Sequence, residues 1–88
     1  MSSVSRLSFR GITRAVFARL RRKAAKHGIP VRHPRGEAVR NGVVIQWNYD
    51  PTAETLEVEC VRTPFWIAPD TINTKLTEEI ESELQRVA

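Results

Sequence analysis

The sequence predicts an α+β fold of α-β-β-α order, with two helices packed on one face of a small antiparallel sheet. Apolar residues recur at helical spacing from Phe9 to His27 and again from Ile72 to Val87. Between these stretches, two runs alternate apolar and polar residues around an Asp-Pro turn. A chain of 88 residues, 41% hydrophobic and 27% charged, is apolar enough to form a core and short enough to form only one, so residues 1–88 make a single domain. Residues 1–8 precede the first element and are expected to be disordered.

In the first helix Phe9, Ile12, Val16, Phe17, Leu20 and Ala24 fall on one side, while Arg10, Arg14, Arg21, Arg22 and Lys26 lie mostly on the other. Ser8 is the expected N-cap. At the far end Gly28 takes a left-handed conformation, Ile29 folds back, and Pro30 stops the helix. Residues 31–42 read as a basic loop broken by Pro34, Gly36 and Asn41-Gly42, with a short edge strand near Ala38 to Arg40 as one option.

From Val43 the period becomes two. Val43, Ile45, Trp47 and Tyr49 share one face, as do Leu56, Val58 and Cys60 in the next run, so 43–49 and 55–61 form a hairpin around Asp50-Pro51-Thr52-Ala53. Placing Tyr49 opposite Leu56, Trp47 opposite Val58 and Ile45 opposite Cys60 keeps every apolar side chain on one face, and a slip of one residue would put them all in water. Phe65, Trp66 and Ile67 then interrupt the pattern. The second helix opens at Asp70 or Thr71 and carries Ile72, Leu76, Ile80, Leu84 and Val87 as its stripe. Glu78, Glu79, Glu81 and Glu83 read as its solvated face. A two-stranded sheet is marginal, so a third strand is expected from 31–42 or from a second subunit.

Charge divides the chain. Met1 to Arg40 carry eleven of the fourteen Lys and Arg against one acid, a net +10, while the remainder is net −6. Two explanations follow: a surface for an anionic partner, or oppositely charged parts that face each other within the fold or across an oligomer.

No catalytic constellation accompanies this layout. His27 and His33 lie at no nucleophile-base spacing, Cys60 shares a face with Leu56 and Val58, and the four glycines match no phosphate-binding pattern. One Cys and two distant His fall short of a metal site. The chain is therefore expected to be non-catalytic, with no cofactor and no small-molecule substrate indicated. A single cysteine makes the cytoplasm the default location. The acid-free, Arg- and Ser-rich stretch to Lys26 leaves organellar import as a minor alternative. No apolar run approaches bilayer length, and a membrane role is not expected.

Two functions remain. The first is a protein-interaction or self-associating module, most simply a homodimer, using Phe65, Trp66 and Ile67 as its contact patch. The second is a nucleic-acid-backbone binder that lays Arg10, Arg14, Arg21, Arg22, Lys26, Arg32, Arg35 and Arg40 along phosphates. The helix-sheet-helix order resembles a double-stranded-RNA-binding domain. The second helix, however, opens Pro69-Asp70-Thr71-Ile72-Asn73-Thr74-Lys75, with one lysine where that family has a basic cluster, so the family is not assigned.

Overall fold

A computed structural model describes residues 6–86. The elements run β1 (Leu7–Arg10), α1 (Arg14–Lys26), β2 (Arg35–Arg40), β3 (Val43–Asp50), β4 (Thr55–Arg62) and α2 (Pro69–Arg86). The four strands form one antiparallel sheet in the order β1-β4-β3-β2. The fold is thus α+β, with two strands more than the hairpin that the sequence predicts.

The hairpin register is the expected one, with Tyr49 opposite Leu56, Trp47 opposite Val58 and Ile45 opposite Cys60. Asp50 begins the turn by accepting from the backbone N–H of Thr52 and Ala53 at 2.9 and 3.2 Å. A bulge next to Ile45 pairs Val44 with Arg62 and leaves Val61 out of the ladder.

The first helix starts later than its apolar spacing suggests. Gly11 has φ +74, which ends β1 and turns the chain, and Thr13 rather than Ser8 caps α1 by accepting from Val16 N–H at 3.2 Å. Phe9 and Arg10 therefore belong to β1, paired with Leu56 and Thr55, and Phe9 reaches the core from the sheet. Leu7 and Ser8 also lie in β1, so the expected disorder does not hold for them, while residues 1–5 lie outside the described residues. The end of α1 is as read: Gly28 has φ +78, and Ile29 N–H returns to Ala24 O at 2.9 Å.

The basic loop is mostly strand. Arg35 to Arg40 pair with Asn48 to Val43, and the third strand comes from the chain itself. Asn41 and Gly42 join β2 to β3 with φ of 50 and 82, the two positive values of a type I′ hairpin turn. Gly36 is also required by packing: a Cβ there would lie 2.7 Å from Cζ2 of Trp47.

The core lies between this sheet and the helices. Phe9, Ala38, Ile45, Trp47, Tyr49, Leu56 and Val58 contribute from the strands, with Ile12, Val16 and Ile80 above them. Leu20, Ile72, Leu76 and Leu84 pack at its margin, and Val87 lies outside the described residues. Buried polar groups on the sheet are satisfied: Tyr49 O–H donates to Ile12 O at 2.7 Å while its ring stacks on Phe17, and Trp47 Nε1–H donates to His33 O at 2.8 Å. Cys60 is fully buried and its thiol is pushed up by desolvation, which makes it poorly nucleophilic.

Candidate interaction surfaces

Charge on the helices sorts into a paired set and an open set. Arg19 and Lys23 lie one turn apart on α1, and Glu79 and Glu83 one turn apart on α2. Arg19 Nε donates to Glu83 Oε1 at 3.0 Å, and Lys23 Nζ reaches Glu83 Oε2 at 3.0 Å and Glu79 Oε1 at 3.1 Å. Lys75 holds the other oxygen of Glu79 at 3.0 Å. Glu83 is only 3% exposed, so the expectation that it belongs to a solvated face is corrected, whereas Glu78 and Glu81 do face water. The Lys23 ammonium hydrogen bond holds the Glu83 carboxyl below the usual range, and the same contact raises Lys23. Each carboxylate flanks the apolar stripe, Glu79 beside Ile80 and Glu83 beside Leu84, and that adjacency is the signal in the sequence for a helix-helix clasp.

This clasp uses two cations outside the set expected to meet an anion. Arg10, Arg14, Arg21, Arg22, Lys26, Arg32, Arg35 and Arg40 are all exposed, and among the described residues none of them forms an ion pair. Glu57 and Glu59 on the outer sheet face sit near Arg6 of the same chain, at 3.8 and 3.6 Å. These eight belong to α1, the following loop and β2, apart from Arg10 in β1, and Arg62 at the end of β4 is a ninth exposed cation in no ion pair among the described residues. Arg21 is partly positioned, its Nε donating to Val31 O at 2.9 Å.

The segment after β4 divides. Phe65 is 96% exposed and Trp66 70%, their rings in edge-to-face contact, while Ile67 turns inward. They share one end of the sheet with two other exposed apolar residues. Val39 stands opposite Val44, Val44 opposite Arg62, and Val61 sits at the bulge. Pro64 packs near Gly42 at the tip of the β2–β3 turn, which ties the aromatic segment to this end.

A cleft of about 360 Å³ opens between the helices and the sheet. Its walls are Phe17, Leu20 and Ala24 of α1, Ile72 and Leu76 of α2, and Ala38, Val43 and Ile45 below. Trp47, Leu56, Val58 and Ile80 floor it, Ile29, Val31 and Ile67 add to the apolar lining, and Arg21, Lys23, His27, Arg40, Asn41, Lys75 and Glu79 supply its polar groups. The sequence gives no sign of this space, because it depends on how far apart the two helices stand. Among the described residues no group of three or more His, Cys, Asp and Glu could hold a metal, and no helix is long and apolar enough to cross a membrane. Comparison with protein-family models, with curated proteins and with solved structures yields no match for this chain.

Proposed function

We propose that the protein is a non-catalytic interaction module that associates with a second copy of itself, with Phe65 and Trp66 as anchors. The exposure of two adjacent aromatic rings carries this reading, since a domain this small spends large apolar residues on its surface at a cost. Val39 and Val61 are exposed at the same end of the sheet, with Arg40 and Arg62 beside them in sequence. Neither aromatic anchor carries a charge, which suits a two-fold contact, where each side meets its own copy and like charges would repel. The outer edge of β2 ends at this patch and offers backbone groups to a neighbouring strand. A buried, unreactive thiol suits a reducing compartment, the cytoplasm being the simplest.

The test is Trp66→Asp. With Trp66 mostly in water, the change should cost an isolated chain no more than about 0.5 kcal/mol, whereas a desolvated charge in an interface opposes association. Light scattering at matched concentration should show the variant shifted toward 10.0 kDa with its fold retained. An unchanged mass would remove Trp66 from any interface.

The open cations favour a second reading, attachment to a nucleic-acid backbone through α1, the 27–34 loop and β2. Such binding should be nearly independent of sequence and should weaken steeply between about 50 and 200 mM salt. Reversing Arg14, Arg21 and Arg22 to Glu should abolish it. A flat titration with a generic duplex at low salt would exclude it.

A further inference from the structure

We propose that the cleft between α1, α2 and the sheet binds a single-chain amphipathic anion, such as a free fatty acid or monoalkyl phosphate. Its tail would lie on the apolar walls and its head would meet Arg40 and Arg21. The site is separate from the aromatic patch, since Phe65 and Trp66 do not line it.

Three observations support this occupant. The walls are aliphatic and aromatic on every side, contributed by α1, α2, β2, β3 and the 29–31 segment, which suits a tail and not a sugar or nucleotide. The volume of about 360 Å³ stands at the low end of ligand cavities, roughly 300 to 1,000 Å³, and so favours one chain over a two-tailed lipid. The charge is one-sided: four permanent cations, Arg21, Lys23, Arg40 and Lys75, line the cleft with one carboxylate, Glu79.

That carboxylate is already taken by Lys23 and Lys75, which leaves the two guanidinium groups as the cations in no ion pair among the described residues. Arg40 lies against Gly28 at the end of α1, where any side chain would displace it, and Arg21 is steadied by Val31 O. Guanidinium groups suit carboxylate and phosphate heads alike.

The test uses dodecanoate, dodecyl phosphate, dodecanol and dodecyltrimethylammonium, each below the concentration at which it forms micelles, with the full chain. Calorimetry should give one site per chain for both anions, and binding of the alcohol and the cation should be weaker by roughly tenfold or more. Amide shifts should map to Val31, Ala38, Val43 and Leu76. Arg40→Glu should weaken the anions by a similar factor, and Ala24→Phe should block them by filling the wall.

The head-group comparison needs no variant, so a misfolded substitution does not spare the proposal. Equal binding of the cationic amphiphile, shifts centred on Phe65 and Trp66, or binding only to anionic phospholipid vesicles would each overturn it. So would finding that Ala24→Phe dissociates a dimer while the anions never bind, because the cleft would then hold a second copy. Loss of self-association in Trp66→Asp with anion binding intact would leave this inference standing.

Discussion

At the scale of single residues, the most consequential group is Glu83. It is nearly fully buried yet charged, and it persists because Arg19 and Lys23 both bond to it. Glu83→Gln keeps the shape and removes the charge, leaving Arg19 without a carboxylate and Lys23 with Glu79 alone. We expect a loss of about 1 to 3 kcal/mol at neutral pH in urea denaturation. The pH dependence has a definite sign. Glu83 is lowered from 4.5 in the folded state, so its contribution is fully present above that value and is lost as pH falls through the lower folded value. Glu79 is lowered as well, by Lys75 and Lys23, and adds to the same acid limb. The native protein should weaken in acid below about pH 4.5 and Glu83→Gln should do so less; parallel acid curves would show that Glu83 contributes nothing to the acid limb.

At the scale of elements, β3 and β4 were fully legible in register because three signals agree: period-two alternation in both runs, Asp-Pro at the turn, and a unique apolar face. Strands β1 and β2 were not, for different reasons. Phe9 and Ile12 happen to fit a 3.6-residue spacing with Val16, so spacing alone merges β1 with the helix, although Gly11 and Thr13 mark the break and the cap. In β2 only Ala38 is buried, which gives a weak apolar pattern, and Asn41-Gly42 reads equally as a loop breaker or a type I′ turn. The same turn supplies a test. Gly42→Ala forces a side chain into positive φ and toward Pro64, 3.0 Å from the added Cβ, and should cost about 1 to 2 kcal/mol by chemical denaturation. A change below about 0.5 kcal/mol would mean that the turn does not constrain the hairpin.

At the scale of the whole molecule, the sequence shows a charge split, and the structure shows how it is divided. Arg19 and Lys23 join the helices, while nine exposed cations in no ion pair among the described residues, the eight above and Arg62, and an aromatic pair are left facing outward. Which of the fourteen basic residues stay open was not legible, since neighbouring positions on α1 differ only in the side they turn to α2. A four-stranded sheet also removes one motive for association, the thinness of a two-stranded core, and leaves Phe65 and Trp66 as the stronger one. Sedimentation equilibrium of the unmodified protein across the micromolar range tests self-association most directly. A self-associating chain gives a reversible monomer-dimer equilibrium whose average mass rises with concentration above 10.0 kDa; a single species of 10.0 kDa at every concentration would rule self-association out.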